Sequence, residues 1–259
     1  MKINFLLYFI AVPFLTFGQD WAPVGAKWIY DHDAGLPPYL TIIESVKDTT
    51  IFSKTCRKLI TKEVSEKMKP NNSYYWDTTV ISKDFIYKSN DTIYHFDKYS
   101  NAFYPLYLLN VKVHNIVLIH EKIEPCTKNA YFCSKFEYVV DSLSTLLLQN
   151  QNLKRIYTSG TIGTEWVFNR SENLEKYPII EKMGSLKYFF GVSRNIVLEG
   201  GIKCLRCYID SELSYKAGYW NRDCEYLRPL NGSSSIHEEK ESSVTISPNP
   251  FNSCINIGS

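Results

Sequence analysis

Short stretches of β-branched and aromatic residues recur along the chain, separated by glycine, asparagine, aspartate or proline. The clearest unit runs from Phe85 to Phe96, where Asn90-Asp91 stands between two apolar stretches and predicts a strand–turn–strand hairpin. The segment from Val111 to His120 alternates between apolar and polar positions, which also predicts a strand. No segment carries a long pattern of period 3.6 with helix caps, so the body of the chain is expected to be sheet.

The other predicted strands have the same character. Trp28 and Tyr30 are two residues apart in the first of them, so both side chains are expected on one face of the sheet. A turn is predicted near Lys47-Asp48, and the polar stretch Lys67–Ser73 predicts a loop. The remaining predicted strands are Tyr39–Val46, a hairpin within Thr50–Lys62, Phe136–Val140, Thr145–Leu148, Leu153–Tyr157, Glu165–Phe168, Leu186–Phe190, Ile196–Leu198 and Lys203–Ile209.

Many short strands with turn residues between them predict an all-β, mainly antiparallel fold, either a sandwich or a barrel-like meander. The composition agrees, since aromatic residues make up 15% of the chain and tyrosine alone contributes 19 residues. A hydrophobic content of 44% over 259 residues is enough for one domain of about 200 residues. We assign residues 20–230 to that domain.

The amino-terminal residues 1–19 have the pattern of a cleavable signal peptide. Lys2 supplies a basic start, and Ile3–Phe17 is an uncharged, mainly apolar run of 15 residues. A helix of that length spans about 22 Å, which is shorter than the roughly 30 Å hydrocarbon core of a bilayer. The small Gly18 fits a cleavage site there or at Gln19. No later stretch is long and apolar enough to be a transmembrane helix, so the mature protein is expected to be exported without a membrane span.

The carboxyl-terminal part has a different composition. Residues 231–243 are small, polar and charged, which is typical of a linker. Residues 244–259 then hold the sequence Pro248-Asn249-Pro250-Phe251 between two short apolar stretches. Because two prolines flank Asn249, a helix is disfavoured there and a rigid kink between two edge strands is predicted.

Residues 244–259 resemble the opening of the type A C-terminal sorting domain carried by substrates of the type IX secretion system. The resemblance implies the first strands of an Ig-like sorting domain, the type IX secretion machinery as a partner, and a location on the outer cell surface or in the medium. Domains of that family run some tens of residues beyond the position of Ser259, so we expect either that this sequence is a fragment or that its sorting signal is truncated. A non-functional signal would leave the protein in the periplasm. The matching positions are Val244, Ile246, Pro248, Asn249, Pro250, Phe251, Ile255 and Ile257.

The body also resembles uncharacterised cargo proteins of the same system. Two features carry this likeness: a Pro-x-Gly-x-x-Trp-x-Tyr stretch near the start of the domain, and a Leu-Arg-Cys-Tyr segment followed by Cys-x-Tyr near its end. The likeness implies a location and no particular chemistry. The residues concerned are Pro23, Gly25, Trp28, Tyr30, Leu205, Cys207, Tyr208, Cys224 and Tyr226.

Seven cysteines in an exported chain predict disulfide bonds. The first predicted pair is Cys207 with Cys224, and the second is Cys126 with Cys133. A redox pair or half of a zinc site at Cys204-Leu-Arg-Cys207 is the alternative. It is disfavoured because the segment continues as a strand instead of opening a helix, and because no second pair of ligands follows at matching spacing.

No catalytic, cofactor-binding or metal-binding motif stands out. The five histidines form no HxH or HExxH pair, and GxSxG is absent. The one acidic–imidazole cluster, Asp31-His32-Asp33, predicts a solvated turn, with cation binding as the alternative. A formal net charge of +2 gives no reason to expect nucleic acid as a partner.

We therefore expect an exported, non-enzymatic β-rich protein that serves binding, adhesion or display, with a glycan or a protein as its ligand. Exposed aromatic side chains can stack on sugar rings. A secreted hydrolase acting on glycans or peptides is one alternative, because catalytic carboxylates come together only in space. A periplasmic carrier with an apolar half-barrel cavity is another. A deep cleft with two carboxylates would favour the hydrolase, whereas a shallow aromatic surface would favour binding.

Overall fold

The computed structural model describes residues 21–33, 40–98, 100–120, 135–159, 178–186, 189–190 and 202–227. Within these ranges every regular element is a strand, and every strand pair is antiparallel, so the predicted fold class is confirmed. The strands are β1 (Lys27–Asp33), β2 (Leu40–Ile51), β3 (Lys54–Met68), β4 (Tyr74–Ser89), β5 (Thr92–Asp97), β6 (Ala102–Leu108), β7 (Ile116–His120), β8 (Lys135–Leu148), β9 (Gln151–Ser159), β10 (Ile179–Ile180), β11 (Gly184–Ser185), β12 (Ile202–Ile209) and β13 (Ser214–Lys216).

Two sheets form a β-sandwich. The larger sheet has eight strands in the order β13-β12-β1-β2-β3-β4-β5-β6, and the smaller has five in the order β11-β10-β9-β8-β7. Strands β2 to β6 follow one another as hairpins, whereas β1 pairs with the distant β12, where Trp28 lies opposite Tyr208. We call the face of the larger sheet that meets the smaller sheet the inner face, and the opposite side the outer face.

Large aromatic side chains fill the core between the sheets. Trp28 and Tyr30 both point to the inner face and both are buried, as their spacing predicts. The indole Nε1 of Trp28 donates to the carbonyl of Met183 over 2.8 Å, and the Tyr30 hydroxyl donates to the carbonyl of Ser185 over 2.9 Å. These bonds satisfy the polar tips of the buried rings and tie β1 to the smaller sheet.

Part of the outer face is covered by residues 218–227, which follow β13 and which we call the strap. A disulfide between Cys207 on β12 and Cys224 holds the strap to the sheet, which confirms the first predicted pair. Closing a loop of this length stabilises a fold by about 3 kcal/mol. A second core cluster lies beneath the strap and contains Ile29, Leu40, Ile42, Val64 and Cys207, with Trp76, Trp220, Cys224 and Leu227 packed against it.

The other cysteines bear on the redox or zinc alternative and on the second predicted disulfide. Cys204 is also disulfide-bonded, to a partner outside the described residues, so Cys204 and Cys207 belong to two different bridges. The redox or zinc alternative for this pair is therefore wrong. Cys56 is a free, buried thiol, and burial raises its pKa. The second predicted pair, Cys126 with Cys133, lies outside the described residues.

Two β-bulges account for local errors in the predicted strands. The predicted turn at Lys47-Asp48 is wrong, because the register shifts between Ser45 and Lys47 and β2 then continues to Ile51. Likewise the two predicted strands Phe136–Val140 and Thr145–Leu148 are one strand, β8. A register shift between Val140 and Ser142 explains why the alternation of apolar and polar residues is interrupted there. A bulge inserts one residue and so breaks the period of two without ending the strand.

Three other local predictions also need correction. The strand predicted from Val111 begins only at Ile116, after a turn in which His114 has a φ of 68°. The strand predicted over Leu186–Phe190 is also wrong, because the short β11 ends at Ser185. Asp31-His32-Asp33 lies in β1 and not in a turn.

Several predictions fall outside the described residues. These are the signal peptide at residues 1–19, the linker at 231–243, the sorting motif Pro248-Asn249-Pro250-Phe251, and the strands at Glu165–Phe168 and Ile196–Leu198. Within the described ranges, no helix combines the length and the hydropathy needed to cross a membrane.

Candidate functional site

Six aromatic side chains form a continuous cluster on the outer face, centred on β4, β5 and β6. Tyr87 lies directly opposite Tyr94, and Phe96 lies directly opposite Phe103. Directly opposite residues of antiparallel strands share one face, so the hairpin registers bring these rings together. We call this cluster the aromatic patch, and its members are Phe52, Phe85, Tyr87, Tyr94, Phe96 and Phe103.

The rings of the patch hold one another in place. The Phe96 ring lies 5.9 Å from that of Phe52, 6.4 Å from Phe85 and 5.2 Å from Phe103, measured between centroids. Tyr87 stacks on Tyr94 at 4.8 Å with an interplanar angle of 10°. Ring pairs at such distances contribute about 0.5–1.5 kcal/mol each beyond area burial. The patch is therefore a pre-organised surface.

Five of the six rings of the aromatic patch are accessible to solvent, whereas Tyr87 is buried, with 9% exposed. The side chain of Phe52 is 58% exposed, and Phe85, Tyr94, Phe96 and Phe103 are half-buried. None of the six rings belongs to either core cluster of the described residues. The patch therefore stabilises the fold less than an equal number of core rings would, and it leaves ring faces free for contact with another molecule.

Phe52 stands in a turn that does not favour it. Phe52 and Ser53 form the two-residue connection between β2 and β3, with φ values of 48° and 60°. Positive φ at both positions is the type I′ turn, for which Asn-Gly is preferred, and a bulky residue is disfavoured there. Neither burial nor turn preference explains an exposed phenylalanine here. The contact that Phe52 makes is with the ring of Phe96.

A second group of interest lies on the inner face, where Ser82, Asp84 and His95 come together. The Ser82 hydroxyl donates to Asp84 Oδ2 over 2.6 Å, and His95 Nε2 lies 3.4 Å from Asp84 Oδ1. A serine nucleophile needs the imidazole beside its hydroxyl, whereas here the carboxylate stands between the two. Asp84 and His95 are 4% and 5% exposed, so a substrate would not reach them.

The described residues hold no group of three or more histidine, cysteine, aspartate or glutamate side chains placed to bind a metal ion. Asp31, for which cation binding was the alternative, instead accepts a hydrogen bond from Arg206 Nη2 over 2.7 Å.

None of the tryptophans belongs to the aromatic patch. Trp21 and Trp28 are core residues, Trp76 packs against the second core cluster, and Trp220 packs against the same cluster from the strap. The accessible rings are phenylalanine and tyrosine instead. One signal was present in the sequence: Phe85-Ile-Tyr87 and Thr92–Phe96 carry apolar residues at successive positions, so both faces of these strands are apolar.

Comparisons with protein-family models, with curated proteins and with solved structures found no match to this chain.

Proposed function

We propose that this chain is an exported, non-enzymatic binding protein whose ligand-binding surface is the aromatic patch. The observation that carries the proposal is the exposed ring of Phe52, held in an unfavourable turn conformation and joined to five further rings outside both cores. Flat, fixed aromatic rings contact the apolar faces of sugar rings well, because their conformational entropy is already low. A glycan is therefore the ligand class that this surface fits.

The first test replaces the turn with its preferred sequence. In the double variant Phe52→Asn/Ser53→Gly we expect the free energy of unfolding to stay the same or to rise by up to about 1 kcal/mol, because Asn-Gly suits a type I′ turn. Binding to immobilised polysaccharides should fall about tenfold, since loss of an exposed ring that contributes strongly to an interface costs more than about 1 kcal/mol. Urea unfolding and a binding isotherm measure the two effects.

Tyr75→Ser serves as the matched control, because Tyr75 is an aromatic residue, 38% exposed, at the far tip of the β3–β4 hairpin. Its binding should equal that of the unaltered protein. Equal binding by the turn variant and the unaltered protein would remove the patch from the proposal. A turn variant that lost several kcal/mol of stability would show that Phe52 has a structural role instead.

Export is part of the same proposal. It is supported by the signal-like residues 1–19 and by two disulfide-bonded cysteines, Cys204 and Cys207, since disulfides persist outside the reducing cytoplasm. The type IX route is proposed from the resemblance of residues 244–259 alone. Cell fractionation followed by amino-terminal sequencing tests export: a mature chain beginning near Asp20 is expected, and an uncleaved cytoplasmic chain would contradict it.

A further inference from the structure

Four lysines lie beside the aromatic patch on the outer face. Lys47 lies directly opposite Lys58, and Lys58 lies directly opposite Phe85, so these three side chains form one row across β2, β3 and β4. Lys83 is two residues from Phe85 and therefore shares its face. The Lys54 ammonium lies 4.7 Å from the centre of the Tyr87 ring. We call Lys47, Lys54, Lys58 and Lys83 the lysine rim.

The charges of the lysine rim are not neutralised within the part of the chain that the structure describes. None of its four ammonium groups forms an ion pair there. Other lysines of the outer face behave differently. Lys62 lies 2.5 Å from a carboxylate oxygen of Glu44, and Lys27 lies 2.6 Å from one of Glu225. Unneutralised positive charge is thus concentrated at the patch, whereas carboxylates pair with the lysines nearer the strap.

The lysine rim destabilises the sheet locally through electrostatic repulsion. Like charges directly opposite each other on neighbouring strands destabilise a sheet, and Lys47 and Lys58 are such a pair. The same region holds the unfavourable turn at Phe52-Ser53. Local departures from stability rules that cluster on one surface are typical of functional sites. A negatively charged ligand would offset the repulsion between Lys47 and Lys58.

The combined surface is wide enough for a polymer. It extends from Lys47 on β2 to Phe103 on β6, which is four strand spacings, and each spacing is about 4.8 Å. The distance across is therefore about 19 Å, which exceeds the width of one sugar ring. Across this distance two lysines on β2 and β3 are followed by aromatic rings on β4, β5 and β6, so the surface complements a chain that carries both sugar faces and carboxylates.

We infer that the aromatic patch and the lysine rim together bind an anionic polysaccharide, with the rings stacked on its sugars and the ammonium groups paired with its acidic groups. This inference rests on the proposed binding function of the patch and specifies its ligand class. Charge complementarity selects an acidic glycan over a neutral one, and the fixed rings select a glycan over a polyanion without sugar rings.

The test compares matched polymers. The full chain is titrated with polygalacturonate, with alginate and with hyaluronate, and also with polygalacturonate whose carboxylates are methyl-esterified. We expect at least one acidic polymer to bind at least tenfold more tightly than the esterified polymer, with an affinity that falls linearly with salt on logarithmic axes, as counterion release requires. In Lys58→Gln/Lys83→Gln the slope should fall by about two, which is about one per lysine. Lys112→Gln, an exposed lysine away from the patch, should leave affinity and slope unchanged.

The possible failures are distinguishable. Equal binding of the esterified polymer, without salt dependence, would overturn the acidic ligand class and leave the binding function of the patch intact. Inorganic polyphosphate binding as tightly as the best acidic glycan, with Phe52→Asn/Ser53→Gly unchanged, would overturn the role of the rings. If none of the polysaccharides bound, both the inference and the proposed function would be wrong.

Discussion

We expect the folded domain to unfold cooperatively as the pH rises from 10 towards 12. Five buried tyrosines carry this prediction. Burial raises the pKa of each hydroxyl above its ordinary value of 10, and for Tyr215 the pKa rises to about 12. A phenolate between the sheets would lose its hydration without gaining a compensating partner. The five residues are Tyr30, Tyr107, Tyr138, Tyr208 and Tyr215.

The direction of the effect follows from the order of the pKa values. In the unfolded chain a tyrosine releases its proton near pH 10, whereas in the folded chain these five keep theirs to higher pH. Their contribution to stability is complete below pH 10 and is lost as the pH rises through the folded pKa values. At pH 11 each of these tyrosines lowers the free energy of unfolding by about 1.4 kcal/mol, and all five together lower it by about 7 kcal/mol. That is comparable with the roughly 5–15 kcal/mol that holds a typical domain folded.

Urea unfolding at pH 8, 10 and 11, combined with tyrosinate absorbance, tests this prediction. The ionisation of the five tyrosines should coincide with loss of structure instead of preceding it. Tyr215→Phe is the informative variant, because it removes one titrating group and should make the decline of stability with pH shallower by about one proton. If all the tyrosines ionised near pH 10 in a chain that stayed folded, the buried positions of these hydroxyls would be wrong.

Loss of the Arg206 side chain is expected to destabilise the domain by about 3–5 kcal/mol. Arg206 is 3% exposed and lies beneath the strap. Its guanidinium donates to Asp31 Oδ1 over 2.7 Å and to the carbonyl of Tyr226 over 2.8 Å, and its central carbon lies 3.6 Å from the centre of the Trp220 ring. One side chain thus joins β1, β12 and the strap.

The planar guanidinium group of arginine can contact Asp31, Tyr226 and Trp220 at the same time. In Arg206→Met the carboxylate of Asp31 and the strap carbonyls lose their donors, and breaking a buried ion pair is costly. Arg206→Lys keeps the charge but has one donor group, which cannot reach Asp31 and Tyr226 at once, so about half of the loss should remain. Urea unfolding measures both variants. In Asp31→Asn/Arg206→Met the loss should be smaller than the sum of the single losses.

Limited proteolysis gives an independent readout of the same contacts. Cleavage within residues 218–227 should be faster in Arg206→Met than in the unaltered protein, because the strap would remain attached mainly through the Cys207–Cys224 bond. An Arg206→Lys variant as stable as the unaltered protein would show that the charge alone matters and that the fork geometry does not.

The sequence by itself determined the features that depend on near neighbours. The β4–β5 hairpin follows from Asn90-Asp91 between two β-rich stretches, since turn chemistry acts within a few residues. The shared face of Trp28 and Tyr30 follows from the geometry of any strand. The Cys207–Cys224 bond, with a separation of 17 residues, was also predictable in an exported chain because few partners are so near.

Only the tertiary structure decided which strands meet and which faces stay exposed. The pairing of β1 with β12, the contact between Asp84 and His95, and the bulges in β2 and β8 depend on registers chosen by the whole fold. Phe85, Tyr94 and Phe96 are residue types that would suit a core equally well. They form a surface because the smaller sheet covers the inner face and the strap covers a different part of the outer face. Burial depends on packing between residues that are distant in sequence. The sequence of a strand with two apolar faces therefore indicates that one face is covered by another part of the fold, but it does not identify which of the two faces that is.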